Sequence, residues 1–180
     1  MSAPARIRLD GPRVTLVTLH VEDVTERYVR WMSDPLVIRY LESRHAPSSA
    51  ERVREFVATT QADADQHLMA IRLQDGDEHI GNIKLGPVNR VHRSADIGII
   101  IGERDQWGKG YATEAIALMT DHAFGTLGLH KLNAGCYAPN EGSARAFEKA
   151  GWTREGLRRA QYLSDGEWVD EILVGRAADD

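Results

Sequence analysis

The sequence predicts a single α/β (α+β) domain in which helices flank a mixed sheet. Three observations lead to this prediction. The 180 residues suit one domain, because domains usually run to roughly 100–200 residues. Short segments rich in Gly, Pro and Asn separate stretches with helical or strand periodicity. The predicted strands follow one another closely, as in hairpins. We expect about seven strands and about four helices in one domain over residues 1–180, with its core at about 12–177.

The first elements of the chain are predicted to be a strand and a helix. Residues 14–19 alternate and are rich in β-branched side chains, which is typical of a strand. A helix is expected next, because apolar residues recur at helical spacing until Asp34-Pro35. Those apolar residues are Val21, Val24, Tyr28, Trp31 and Met32.

A second helix and three strands are predicted to follow. Ser48-Ser49-Ala50-Glu51 matches a capping box, so this helix is expected to begin there. Its apolar stripe consists of Val53, Phe56 and Val57. His67–Leu73 and His79–Leu85 are predicted to form a hairpin around Asp75-Gly76-Asp77. Residues 97–102 form the most apolar stretch and predict a buried central strand.

The second half of the chain repeats this pattern of strands and helices. A long helix is expected to end around residues 125–128, and Asn140 is predicted to cap a short helix that ends at Gly151. The apolar face of the long helix consists of Ala112, Ala115, Ile116, Met119 and Phe124. The strands expected in this half cover residues 132–137, 158–163 and 169–175.

Composition excludes several functional classes. The chain has no apolar run of the ~20 residues that span a bilayer, and its charged start is not that of a secretory signal. The single Cys136 excludes a disulfide scaffold and a thiolate zinc site. The net charge of −5 argues against a nucleic-acid surface. We therefore expect a cytoplasmic protein without membrane, nucleic-acid or metal partners; a homodimer is compatible with the sequence.

The segment Trp107-Gly108-Lys109-Gly110-Tyr111-Ala112 is a candidate anion site. It lies between the predicted buried strand and the long helix, where main-chain amides converge and the helix dipole adds positive potential. It does not match the Walker pattern, because Gly102 is one residue too far away and Gly110 replaces the hydroxyl residue. It does not match the dinucleotide pattern either, because Thr113 stands at its last position. The alternatives are a plain glycine turn before a core helix and a phosphate-binding module.

This segment and its surroundings resemble the GNAT N-acetyltransferase superfamily. Trp107, Gly110 and Ala112 stand at the first, fourth and sixth places of the acetyl-CoA pyrophosphate loop R/Q-x-x-G-x-G/A, although Trp departs from Arg or Gln. Further segments resemble the branch that holds ribosomal-protein, spermidine and amino-sugar acetyltransferases. They are Leu129-His130-Lys131-Leu132, Asn140-Glu141-Gly142-Ser143, Phe147-Glu148-Lys149-Ala150-Gly151-Trp152 and Asp165-Gly166-Glu167-Trp168-Val169-Asp170.

The resemblance implies a mostly antiparallel sheet whose two central strands splay into a V-shaped cleft. The pantetheine arm of acetyl-CoA, the cosubstrate, would lie between the strand that ends at Ile101 and the one that ends near Tyr137. The residues implied to bind it are Ile99, Ile100 and Ile101 through their main chain, Trp107, Gly108, Lys109, Gly110, Tyr111, Ala112, Thr113, Asn140, Ser143 and Phe147.

The implied reaction is direct attack of an amine on acetyl-CoA, which needs a base and an acid. The superfamily's usual acid is a Tyr at the place of Phe147, so Ser143 is the candidate acid here. Asp96 is the favoured base, because strand alternation places it on the face of Gly98 and Ile100. The competing bases are Glu167, Asp170 and His79. Cys136 is expected to be a buried, inert thiol.

The acceptor is expected to contact residues 39–45. Glu42 could hold an ammonium, Tyr40 could stack on a ring, and Arg39 and Arg44 could clamp an anion. This mixture favours an amine that also carries negative charge, such as a nucleotide-linked amino sugar. A protein N-terminus, a polyamine and a solvated loop without a ligand stay open. A non-catalytic acyl-CoA-binding regulator is the alternative of another class.

Overall fold

The computed structural model describes residues 6–180 and shows eight strands and four α-helices in that range. The first half contains β1 (Arg8–Asp10), β2 (Val14–Thr18), α1 (Glu26–Trp31), α2 (Ala50–Ala62), β3 (His67–Leu73), β4 (His79–Leu85) and β5 (Ser94–Ile101). The second half contains α3 (Tyr111–Gly125), β6 (Lys131–Tyr137), α4 (Glu141–Lys149), β7 (Thr153–Ser164) and β8 (Glu167–Ala177). No helix in residues 6–180 combines the length and the apolar character needed to cross a membrane.

All strands belong to one mixed sheet, in the order β1-β2-β3-β4-β5-β6-β8-β7. Every neighbouring pair is antiparallel except β5 and β6, which confirms the predicted mostly antiparallel sheet flanked by helices. The strand not foreseen is β1, whose three residues are too few to show an alternating pattern. It pairs Arg8 with Val17, so the sheet begins before residue 12.

The β5–β6 pair separates after a few residues. Its ladder runs from Ser94 opposite Lys131 to Asp96 opposite Asn133. β5 then continues to Ile101 and β6 to Tyr137 without pairing to each other. This separation is the V-shaped cleft that the resemblance implies.

Helices cover both faces of the sheet. α3 and α4 pack on one face through a core that includes Ile116, Met119, Leu132, Phe147 and Ile172. α1 and α2 cover the other face with a smaller cluster that includes Leu19, Tyr28, Trp31, Val57 and Leu68. Burial of these apolar side chains is the main stabilising contribution of each layer.

The first two helices differ in detail from the prediction. A 3₁₀ turn at Val21–Asp23 precedes α1, because Thr25 caps a new start by accepting from the Tyr28 amide at 3.4 Å. α2 is capped by Ser49 and not by Ser48: the Ser49 hydroxyl accepts from the Arg52 amide at 3.2 Å. Two of the three residues in the predicted apolar stripe of α2 are buried. Val53 and Val57 are buried, whereas 46% of Phe56 is exposed.

The hairpin of β3 and β4 has the predicted bounds, while other strands differ from their predictions. β7 and β8 are longer than 158–163 and 169–175, because β7 keeps its pairing across two register shifts. The strand predicted over 97–102 occupies the centre of the sheet, as expected. It is not buried throughout: Gly98 is exposed and residues 99–101 are half-buried, because β6 has moved away there.

Gly81 is required by the close approach of β4 to β5. A Cβ added there would lie 2.2 Å from the Ile100 carbonyl oxygen. We expect Gly81→Ala to lower the free energy of unfolding in urea by about 1–3 kcal/mol, the usual range for overpacking. Gly125→Ala is the matched control, because a Cβ at that helical position meets nothing within 4 Å. Equal effects of the two substitutions would contradict this account.

Candidate active site

The main chain of β5 is open where β6 has separated from it. The Gly102 amide donates to the Ile80 carbonyl at 2.8 Å. The N–H and C=O groups of the even-numbered residues of β5 therefore face β4. Because successive peptide groups point to opposite sides of a strand, Ile100 also faces β4, whereas Ile99 and Ile101 face the cleft. Of the three main-chain contacts predicted for a pantetheine arm, the structure therefore places two in the cleft.

The glycine turn before α3 has the conformation that an anion site needs. Gly108 and Gly110 adopt φ of 73° and 86°, in the left-handed region that favours glycine. Gly110 is the N-cap and provides no capping side chain, which leaves the amides of Tyr111, Ala112 and Thr113 open at the positive end of a 15-residue helix. A Cβ at Gly108 would meet nothing within 4 Å, so the space at the turn is free.

Glu114 joins the first turn of α3 to β2. Its carboxylate accepts from the main-chain amides of Arg13 at 2.7 Å and Val14 at 2.9 Å, and from the Arg13 guanidinium at 3.0 Å. The same guanidinium donates to the Lys109 carbonyl at 2.9 Å and lies 5.0 Å from the centre of the Tyr111 ring. These contacts hold the turn in place, so a ligand would not have to order it.

Trp107 and Lys109 both bond within this region. The Trp107 indole donates to the Ile101 carbonyl at 2.8 Å and thereby ties the turn back to the end of β5. This bond gives Trp107 a structural role at the first place of the motif R/Q-x-x-G-x-G/A. The Lys109 ammonium donates to Gln106 at 3.0 Å and is exposed, so a phosphate contact would require it to leave Gln106.

The residues predicted on α4 lie in different environments. Ser143 is half-buried, and the Cys136 thiol donates to its hydroxyl at 3.5 Å. Burial raises the pKa of this thiol, in line with an inert Cys136. Asn140 is at the N-cap position of α4, but its side chain makes no capping hydrogen bond, contrary to the prediction. Phe147 is 1% exposed and packs on Trp152, so its ring lies in the core and away from the cleft.

The candidate bases are spread over the molecule. Asp96 is exposed on the predicted face of β5, but it belongs to the last β5–β6 pair with Asn133 and so lies at the closed end of the cleft. Glu167 is exposed at the start of β8. Asp170 accepts from the Ala160 amide at 2.8 Å. The role of Asp96 stays a prediction.

His79 is bonded inside the sheet. It is 7% exposed, and its Nε2 lies 2.8 Å from the Asn82 side-chain oxygen and 2.9 Å from the Gly81 carbonyl. Burial lowers the pKa of His79, which favours a neutral ring at pH 7. Within residues 6–180, no group of three or more His, Cys, Asp or Glu side chains is arranged to hold a metal ion.

A cavity of about 410 Å³ lies beside β5 on the face covered by α1 and α2; we call it the acceptor cavity. Gly98, Ile99 and Ile100 form its floor. Its apolar lining includes Tyr28, Met32, Leu41, Val53, Phe56 and Leu68. Its polar lining includes Glu42, Ser43, Ser48, Arg52, Asn82 and Lys84. Phe56 is therefore exposed because it faces this cavity.

Glu42 is held at the cavity by Tyr137, the last residue of β6. The Tyr137 hydroxyl donates to the Glu42 carboxylate, and burial together with this bond raises the pKa of Tyr137. The Tyr137 ring stacks on Tyr162 with centroids 4.0 Å apart, and the Tyr162 hydroxyl donates to Glu171 at 2.8 Å. Sequence reasoning missed Tyr137. Its position at the end of a strand beside the predicted cleft was the signal that could have identified it.

The other predicted acceptor residues are engaged elsewhere. Arg39 pairs with Asp165 at 3.0 Å. Arg44 donates to the main-chain carbonyls of Arg39 and Leu163 and lies 4.9 Å from the centre of the Tyr137 ring. Tyr40 also lies against Tyr137. Only Glu42 of the four lines the acceptor cavity, so the other three roles stay predictions.

Residues 13–153 match a family described as "Acetyltransferase (GNAT) domain". The chain belongs to the GNAT acetyltransferase family. A relative in Bacillus subtilis (strain 168), "Probable N-acetyltransferase YjcK", is 35% identical over 125 residues, 69% of this chain and 68% of that protein. The spermidine N(1)-acetyltransferase of Vibrio cholerae is 29% identical over 144 residues, 78% of this chain and 73% of that enzyme. The predicted class, an N-acetyltransferase, is confirmed, and GNAT acetyltransferases use acetyl-CoA.

Solved structures share the fold of this GNAT protein. An acetyltransferase (GNAT family) from Bacillus anthracis aligns with a TM-score of 0.83 at 24% identity, over 97% of this chain and 100% of the other. Spermidine N-acetyltransferase from Vibrio cholerae, in complex with CoA and spermine, aligns with a TM-score of 0.83 at 22% identity, over 94% and 98%. The open cleft and the splayed central strands are therefore those of a known architecture.

The glycine turn yields a test of acetyl-CoA binding. Gly110→Ala puts a side chain in the left-handed region, at a cost of roughly 1 kcal/mol. The free turn can relieve this strain by changing conformation, which acetyl-CoA must then reverse, so its Kd in calorimetry should rise by up to about fivefold. Gly76→Ala is the matched control, since Gly76 has φ of 80° in the distant β3–β4 turn. That variant should lose stability and keep its Kd. A Gly110→Ala variant with unchanged Kd would show that the turn does not bind the cosubstrate.

Proposed function

We propose that this GNAT N-acetyltransferase binds acetyl-CoA along β5 and the α3 turn and passes the acetyl group directly to the primary amine of a small molecule in the acceptor cavity. The observation that carries the proposal is the position of Ile99. Its peptide groups face the cleft, while the residue also lines the acceptor cavity. Thioester and amine would meet there. Direct transfer is supported by Cys136, which is buried with a raised pKa and is a poor acyl acceptor.

Starting from the ammonium, the reaction forms a C–N bond, breaks the C–S bond and removes two protons from nitrogen. One proton passes through the base to solvent before the attack, and the other leaves nitrogen as the leaving sulfur gains one from the acid. An alkyl ammonium has a pKa of about 10, so the acceptor arrives protonated and needs a carboxylate and a base. Glu42 would receive the ammonium, and Tyr137, protonated at neutral pH, holds that carboxylate in place. Asp96, acting through water, is the proposed base, and Ser143 the proposed acid for the sulfur.

A polyamine is the second candidate acceptor, because relatives of this chain in Vibrio cholerae and Escherichia coli are spermidine N(1)-acetyltransferases. These relatives fit a polyamine better than the nucleotide-linked amino sugar that the sequence favoured. Glu42 would suit one ammonium of either class. A protein N-terminus is a third possibility that the same assay tests.

Release of free CoA thiol tests the proposal. The amine panel contains alkylamines, amino carboxylates, spermidine, N-terminal peptides and nucleotide-linked amino sugars. We expect small amines to be acetylated, and Glu42→Gln to raise their KM by about tenfold, because a hydrogen bond to a charged group contributes roughly 1.5–3 kcal/mol. Ser143→Ala should lower kcat and leave acetyl-CoA binding unchanged if the hydroxyl serves as the acid.

Glu55→Gln is the control for Glu42→Gln, because Glu55 is exposed on α2 and does not line the cavity. Its kinetics should match those of the unmodified protein. Thermal stabilisation by acetyl-CoA without thiol release for any amine would contradict the proposal and would favour the non-catalytic regulator.

A further inference from the structure

The charged side chains that line the acceptor cavity form hydrogen bonds but no ion pairs in the described part of the chain. They are one carboxylate, Glu42, and two cations, Arg52 and Lys84. Within the described chain, none of the three takes part in an ion pair within 4.0 Å. A cavity with charges of both signs and no internal pairing is arranged for a ligand that supplies the opposite charges.

Lys84 is the more constrained of the two cations. It is half-buried on β4, and its ammonium donates to the Gln66 side-chain oxygen at 2.8 Å. The Gln66 amide in turn donates to Asp63 at 2.8 Å, so the nearby carboxylate is reached only through a neutral group. Lys84 therefore lies beside a largely apolar cavity, with Asp63 reached through Gln66 and with no direct ion pair. Arg52 is exposed at the start of α2 and donates to the Pro47 carbonyl at 3.3 Å.

The carboxylate and the lysine approach the cavity from different elements, since Glu42 lies in a 3₁₀ turn before α2 and Lys84 lies on β4. Glu42 is anchored to Tyr137 at the end of β6, whereas Lys84 projects from β4 opposite Gly98 of β5. β4 and β6 lie on either side of β5, so their main chains are separated by at least about 10 Å at the usual strand spacing. Ile100 of β5 lies on the strand between β4 and β6 and lines the cavity. Glu42 and Lys84 are thus held on different elements around a largely apolar cavity, and a ligand that carries an ammonium and an anion on an apolar spacer would match this lining.

We propose that the acetyl acceptor is a primary amine that carries a carboxylate or phosphate at the far end of an apolar spacer. This inference rests on the proposed function and specifies its substrate class. Glu42 receives the ammonium next to the cleft, Lys84 binds the anion, and Arg52 adds positive charge at the cavity edge. The same two cations disfavour a polyamine, because a second ammonium would lie beside like charge.

The test compares acceptors that differ only at the far end. ω-Amino carboxylates of four to eight carbons, the corresponding ω-amino phosphates, alkylamines and diamines of equal length, and spermidine are assayed by thiol release. We expect kcat/KM for the best anionic amine to exceed that of its alkylamine and diamine counterparts by about tenfold or more, as a charge-assisted contact allows. The carboxylate and phosphate series identify the anion.

Lys84→Met removes the charge and keeps an unbranched side chain that is one atom shorter. It should raise KM for the anionic amines by about tenfold, leave KM for alkylamines unchanged and leave the Kd for acetyl-CoA unchanged. Lys149→Met, on the exposed end of α4, is the control and should change none of these. Lys84→Arg should restore part of the selectivity.

The outcomes distinguish the proposed anionic acceptor from the proposed amine acetyltransferase activity. Faster acetylation of spermidine or diamines than of anionic amines, or equal selectivity in Lys84→Met, overturns the inference and leaves an amine acetyltransferase. No thiol release with any amine overturns both.

Discussion

The structure depends on the point at which β5 and β6 stop pairing. Up to Asp96 and Asn133 the two strands form a parallel ladder, and beyond that pair their main chains separate. Unpaired peptide groups are costly inside a protein unless a ligand or water satisfies them. The unpaired stretch of β5 therefore both opens the cleft and creates its binding capacity. The bond from Trp107 to the Ile101 carbonyl and the hydrogen bonds of Glu114 to β2 hold the glycine turn at the end of that stretch.

Local patterns predicted most of the fold. The bounds of β3 and β4 could be read from alternation and a turn, since both effects act within a few residues. Three features depend on tertiary contacts and could not be read in this way. The apolar residues of β5 indicated a buried strand, yet they line a cleft, because burial depends on where β6 runs. The capping-box pattern placed Ser48 at the cap of α2, whereas Ser49 caps the helix in the structure. β1 was too short to produce a pattern.

The parts of the candidate site that are formed by main chain were easier to predict than the parts formed by side chains. The conformation of the glycine turn was predictable because residues at positive φ are usually glycines, and glycines are visible in a sequence. The acceptor side is assembled from side chains of β4, β5, β6 and the segment before α2. Only Glu42 was recognised there, since nothing local relates Lys84 or Tyr137 to it. Phe147 illustrates the opposite error: a motif position implied a cleft residue, and its apolar ring lies in the core.

Amide hydrogen exchange by NMR tests the role of the unpaired stretch most directly. In the free protein, the Ile99 and Ile101 amides should exchange rapidly, because they face the cleft, while the Ile100 amide should be protected by its pairing with β4. Saturating acetyl-CoA, with binding verified by calorimetry, should slow exchange at Ile99, Ile101 or both and leave Ile100 unchanged. Unchanged exchange at both Ile99 and Ile101 in the saturated protein would contradict the account.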